Sequence, residues 1–290
     1  MVTTHLEPAV GRGSLPFTDS SNPDRPIVIN YYRPAAHRRT DCVVIVQHGM
    51  GRNGDEYRDF WIEAADKHNL LIVAPTFSDE HFPKAESYNG GLVLDADGAV
   101  RPRANWVYGA QARVLAALRA GGVTQRETAH LFGHSAGGQY VHRLLATQAE
   151  LPFDSVIAGN PGWYTLPTLE RRFPEGLDGL GFDVGDLARW LAFPMIILAG
   201  DQDIDTTASN LPRNPEAVAQ GPHRFARAHF FHDFAVREAD RLNLPCNWRL
   251  VTVPGIGHDG AAMSRAAAAW WFEGRIPAIA ELKPQAAPVL

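Results

Sequence analysis

The sequence is poor in cysteine, with two in 290 residues. Cys42 opens an apolar strand and Cys246 sits in a Pro-Cys-Asn turn far along the chain, so two free thiols are expected and a disulfide scaffold is excluded. Long basic runs are also missing. None exceeds His37-Arg38-Arg39, which a solvated loop explains, and the net charge is only −5, so no nucleic-acid partner is expected. No segment approaches the apolar length of a membrane span, which argues against a membrane partner. Met1 to Pro8 hold neither a basic leader nor a continuous apolar stretch, and a cytoplasmic location is the corresponding expectation. Finally, there is no internal repeat and no Ser/Gly-rich or highly charged linker. With 45% hydrophobic and 20% charged residues, the chain reads as one large globular domain.

What is present is an alternation of apolar strands and amphipathic helices. Residues 1–25, rich in Pro, Gly, Ser and Thr, read as an irregular N-terminal arm, and 26–290 as the folded domain. Ile27 to Tyr32 form a β-rich run. Val43-Val44-Ile45-Val46 and Leu70-Leu71-Ile72-Val73-Ala74 are apolar on both faces, as central parallel strands are. A helix is expected from Glu56 to His68, with Tyr57, Phe60, Trp61 and Ala64 at helical spacing. Thr76 to Pro102 is a long loop, of the kind that is usually functional. Val107, Ala110, Val114 and Leu118 stripe a helix that Gly121-Gly122 ends. Strands then recur at 129–134, 155–159, 194–199 and 248–253, with helices near 137–148, 223–242 and after 259. The residues around 160–192, dense in Gly, Pro and acids, read as a small cap or lid insertion. The pattern predicts an α/β fold with a mostly parallel central sheet and helices on both faces.

Within that pattern, Ala129-His130-Leu131-Phe132 breaks into Gly133-His134-Ser135-Ala136-Gly137-Gly138. This reads as a buried strand, a sharp turn with Ser135 at its apex, and a helix. So tight a turn needs small neighbours, which Gly133, Ala136, Gly137 and Gly138 supply. The serine hydroxyl then stands beside a helix N-terminus, where the Ala136 N–H points at the position in which a substrate oxygen would become negative. A serine hydroxyl is a weak nucleophile without a base and an acid to orient that base. His258 follows a strand, and Gly255 and Gly257 leave room for its ring. Asp201, Asp203 and Asp205 all follow the strand 194–199, and each qualifies as the acid.

The G-x-S-x-G turn, the earlier His48-Gly49 pair, and the chain order Ser, Asp, His resemble the α/β-hydrolase superfamily, specifically the esterases and polyester depolymerase-like serine hydrolases. The resemblance spans about 27–272. It implies an α/β-hydrolase fold and acyl transfer on a small-molecule ester through Ser135 and His258. It points to Asp203 as the acid, three residues after Gly200, leaving Asp201 and Asp205 as solvated or turn-capping carboxylates. It also implies a second oxyanion donor at the N–H of Met50, although the glycine run of many esterases is absent there. Peptidase, thioesterase and acyltransferase activities share this triad, and a non-catalytic ligand binder is the reading from another class.

Trp163, Tyr164 and Phe77 follow strand ends on the same rim, where each either walls a substrate pocket or packs the core. His48 and His134 are expected to hydrogen-bond loop backbone rather than do chemistry. His223, His229 and His232 lack the cysteine or carboxylate that would complete a ligand set, so no metal and no organic cofactor is expected.

Overall fold

Strand β3 (Val43–Gln47) is buried at every position, and its side chains alternate between two cores. Val43 and Ile45 join one, Val44 and Val46 the other, as the period of two in a pleated strand requires. The same division recurs along β5 (Ala129–His134), β6 (Phe153–Gly159) and β7 (Met195–Gly200). Completing the sheet are β1 (Gly11–Phe17), β2 (Ile27–Arg33), β4 (Leu71–Thr76) and β8 (Arg249–Val253). The computed structural model describes residues 5–283.

The eight strands are ordered β1-β2-β4-β3-β5-β6-β7-β8. β2 runs antiparallel to both its neighbours, β1 and β4, and the six from β4 to β8 are mutually parallel. After β3 the chain steps to one side, to β4, and then returns to β5 on the other, so the sheet reverses its winding between β3 and β5. Ligands in open α/β sheets bind at the strand ends beside such a reversal.

One face carries α4 (Ala110–Ala120), α5 (Ala136–Thr147), α6 (Val184–Ala192) and α8 (Arg224–Leu242). The other carries α1 (Gly54–Asp59), α2 (Ile62–His68), α9 (Gly260–Glu273) and α10 (Ile279–Leu282). Two short helices, α3 (Lys84–Ser87) and α7 (Pro215–Ala219), lie in the long connections. Among the described residues no helix is long and apolar enough to cross a membrane. Cys42 and Cys246 are free.

Three expectations change. The N-terminal arm is not irregular from 11 to 17: this segment is β1, paired with β2 from Gly11↔Arg33 to Phe17↔Ile27. Its alternate residues face water, and Pro16 is tolerated because this is an edge strand. Met1 to Thr4 of that arm, and residues 284–290 of the domain, lie outside the described residues. The helix expected over 56–68 breaks at Phe60–Trp61 into α1 and α2. The insertion near 160–192 is composite. Its last part, α6, opens on a reciprocal Asp183–Asp186 capping box and sinks Leu187, Trp190 and Leu191 into the core, so it belongs to the helical layer. Only the coil before it reaches the strand-end rim.

Candidate active site

β5 ends at His134 and α5 begins at Ala136, leaving Ser135 alone to make the turn at φ 59°, ψ −117°. That backbone is costly for a residue with a side chain, by about 1–3 kcal/mol, and its surroundings hold it. The Ser135 N–H donates to Gly159 O at 2.9 Å, and its carbonyl accepts from Gln139 N at 3.1 Å. A Cβ on Gly133 would stand 2.2 Å from Gly137 O, and one on Gly137 2.1 Å from Gln47 O. The close approach of α5 to β3 and β5 therefore excludes any side chain at either glycine.

Ser135 Oγ lies 3.0 Å from His258 Nε2, and His258 Nδ1 lies 2.7 Å from Asp203 Oδ2. The three come from the ends of β5, β8 and β7. Asp203 is 2% exposed. Behind it sits Arg224, equally buried, with Nη1 3.5 Å from Asp203 Oδ1, and its Nη2 donates to the Asn210 carbonyl and side-chain oxygens. The other two aspartates do different work. Asp201 Oδ1 accepts from Gly255 N at 2.8 Å, fixing the turn ahead of His258. Exposed Asp205 accepts from the Thr207 N–H and hydroxyl.

Asn160, which no sequence pattern marks out, joins these loops. Its Oδ1 accepts from Gly200 N at 2.9 Å and its Nδ2 donates to Gly257 O at 3.0 Å. One amide side chain thus ties the acid's loop to the histidine's. Its positive φ of 44° is the available signal, since Asn tolerates the left-handed region after a strand, but sequence alone does not reveal it.

The two motif histidines differ. His48 Nδ1–H donates to Gly49 O and Nε2 accepts from Phe77 N, so both bonds go to backbone as expected. Burial pushes its pKa down to about 3, in keeping with a neutral ring that must both donate and accept. His134 departs from the expectation: its Nδ1 meets the Tyr57 hydroxyl at 2.7 Å, because α1 lays that phenol over the end of β5. Its ring lies against that of His258, centroids 4.7 Å apart. Burial first, then the neighbouring His258 and Arg224 charges, pushes the His134 pKa well below its usual value. The His134 ring beside His258 is therefore held neutral.

The loop after β3 abuts the serine, since a Cβ on Gly49 would lie 3.6 Å from Ser135 Cβ. Met50, 42% exposed, lines one cavity with Ser135 and Ala136. The Ala136 N–H, first in α5, has no intrahelical acceptor. Arg52 anchors this loop, with Nη1 and Nη2 donating to the Phe77 and Lys84 carbonyls and the guanidinium 4.3 Å over the Tyr88 ring.

The cavity measures about 690 Å³. Ser135 together with Ala136, Gln139 and Arg143 of α5 forms one wall, residues 85–94 a second, and Trp163, Phe173 and 209–214 close it. Of the three aromatics expected there, only Trp163 lines it. Tyr164 turns into the core to stack on Phe231, centroids 4.2 Å apart. Phe77 is buried among Phe82, Tyr88 and Tyr140. Adjacent residues leaving a strand end point to opposite sides, and from sequence the side is undetermined. His223 caps α8 by accepting from Ala226 N, His229 packs on Phe225, and His232 faces Asp233. Among the described residues no group of three His, Cys, Asp or Glu is placed to hold a metal.

Comparison with solved structures gives near neighbours. The chain is 56% identical to the poly(3-hydroxybutyrate) depolymerase LpqC of Bordetella parapertussis, over 94% of this chain and 93% of the other, with a TM-score of 0.91. It is 36% identical to poly(aspartic acid) hydrolase-1 of Sphingomonas sp. KT-1, over 89% and 97%, with a TM-score of 0.86. An S-formylglutathione hydrolase of Agrobacterium tumefaciens, 18% identical over 96% and 100%, shares the fold at a TM-score of 0.58. No family model and no curated protein matches the sequence.

Proposed function

The chain belongs to the α/β-hydrolase superfamily of serine hydrolases, and from that premise we propose that it cleaves carboxylic esters through an acyl-enzyme formed on Ser135. The observation that carries this reading is the hydrogen-bonded series from Ser135 Oγ to His258 to Asp203, at 3.0 and 2.7 Å.

Each step follows from that series. Asp203 accepts the Nδ1–H of His258, leaving Nε2 unprotonated and aimed at the serine. As Ser135 attacks the ester carbonyl, Nε2 takes its proton, and Asp203 stabilises the imidazolium. Arg224 holds the carboxylate in place from behind, so the buried acid is not left without a countercharge. The substrate oxygen becomes negative between the N–H groups of Ala136 and Met50, each such donor being worth about 3–4 kcal/mol in the transition state. The alcohol leaves with the histidine's proton. Water, deprotonated by the same nitrogen, then releases the acid.

LpqC is by name a depolymerase of poly(3-hydroxybutyrate). Hydroxyalkanoate-type oligomers and small aliphatic esters are accordingly the substrates assigned to this chain. A second reading, amide hydrolysis, draws on the poly(aspartic acid) hydrolase neighbour. A panel of p-nitrophenyl esters of varied acyl length, with matching p-nitroanilides, tests both on wild type and Ser135→Ala. Esters turned over faster than anilides, with a loss in the variant on the order of 10⁴ to 10⁶ in kcat, support the proposal. An alanine variant that folds and keeps its turnover would remove it.

A further inference from the structure

The cavity wall built by α5 begins at the nucleophile and ends at a cation. Ser135, Ala136, Gln139 and Arg143 recur at intervals that share one helix face, and all four line the cavity. Eight residues of helix carry Arg143 about 12 Å along the axis from Ser135, and helical side chains lean back toward the N-terminus. The guanidinium therefore serves the same cavity at the distance of a short chain from the ester carbon.

Arg143 is 2% exposed and incompletely paired. Its Nε donates to Thr165 Oγ1 at 2.9 Å and its Nη1 to Asn89 O at 3.0 Å, whereas buried Nη2 has no partner. Burial is the main influence on its pKa, which it lowers, and the opposing contribution comes from the Tyr108 phenol, through charge and a weak hydrogen-bonding contact, rather than from a carboxylate. The one acid on the cavity lining, Glu86, is exposed. Trp163, which lines the same space, lies with its ring 5.1 Å from the Arg143 guanidinium carbon and holds the planar group from one side. Arg143 differs from the other buried arginines by its place and its charge balance. Arg224 also leaves Nε and Nη1 without a hydrogen bond, but it faces the Asp203 carboxylate, and Arg227, which gives Nε and Nη1 to the Gly221 and Gly162 carbonyls, lies off the lining. Asn89 Oδ1 is also unpaired near Arg143, but a neutral amide oxygen costs far less to leave so than a guanidinium donor. The charge therefore decides the ligand.

We propose that Arg143 determines specificity for ester substrates that carry a free carboxylate, which it binds through Nη2 at the far end of the cavity while the ester lies at Ser135. The proposal rests on the esterase reading above. Two sources present that chemistry: hemiesters of dicarboxylic acids, with the carboxylate on the acyl side, and short hydroxyacid oligomers, with it on the alcohol side.

The test begins with the wild-type protein. p-Nitrophenyl hemiesters of adipic to sebacic acid are compared with the same compounds methylated at the free acid. A hydroxyacid dimer is compared with its methyl ester. In at least one arm, kcat/KM favours the free acid on the order of tenfold to a hundredfold, and the favoured arm identifies the source. In Arg143→Gln that ratio collapses toward one through KM, and in Arg143→Lys part of it returns. The proposal is overturned if wild type treats free acids and methyl esters alike or prefers the latter in both arms, or if a folded Arg143→Gln keeps the ratio. Ser135-dependent turnover of neutral esters with no carboxylate preference would sink this proposal alone. Absence of any ester turnover would sink the esterase reading.

Discussion

The two halves of this site are built on different principles. The half proposed to react hangs from strand ends: Ser135 after β5, Asp203 after β7, His258 after β8, with the His48–Gly51 loop after β3 beside them. Parallel neighbours in register deliver these loops to one edge, Gln47 opposite Gly133 and Gly200 opposite Val253. The half proposed to bind substrate comes from long connections, residues 85–94, 162–174 and 209–214, that line the rest of the cavity. The first is fixed by sheet geometry, and the second by which side chains its loops turn inward. Rate is therefore expected to depend on the first half and selectivity on the second.

That contrast can be broken at several points. The largest effect is expected from Asp203→Ala, which lowers kcat on the order of 10⁴. Asp201→Ala removes one turn-fixing hydrogen bond, of about 1 kcal/mol, and costs roughly fivefold; Asp205→Ala costs less again. Steady-state kinetics of the three variants on one ester decides the matter, and equal losses at Asp201 and Asp203 would undo the assignment of the acid. In the other half, Trp163→Ala raises KM by roughly tenfold and leaves kcat nearly unchanged. A collapse of kcat with KM unmoved would place Trp163 with the reacting residues instead.

The same contrast explains what could be read from the sequence. Strands apolar on both faces, followed by glycine-rich turns, disclose a parallel sheet and its ends, so Ser135, His258 and the run 201–205 stand out. A residue's place along such a strand also fixes its place in space. The binding walls have no such rule. Tyr164 and Trp163 are neighbours in the chain, yet one stacks on Phe231 and the other lines the cavity. Arg143 reads as an ordinary polar position of a helix and becomes notable only once α5 is buried along its whole length. Asn160 and Arg224 act through partners 97 and 21 residues away. β1 is hard to read from the sequence because an edge strand needs apolar residues on one face only, and its glycines and proline disguise even that.

If the proposed mechanism holds, this fold makes one particular hydroxyl reactive. The most direct measurement treats the folded protein with a fluorophosphonate and locates the adduct by peptide mass spectrometry. A single modification on Ser135 is expected, formed in wild type and lost when His258 is replaced by alanine. A folded protein left unmodified, or one labelled at another serine while Ser135 stays intact, would contradict it.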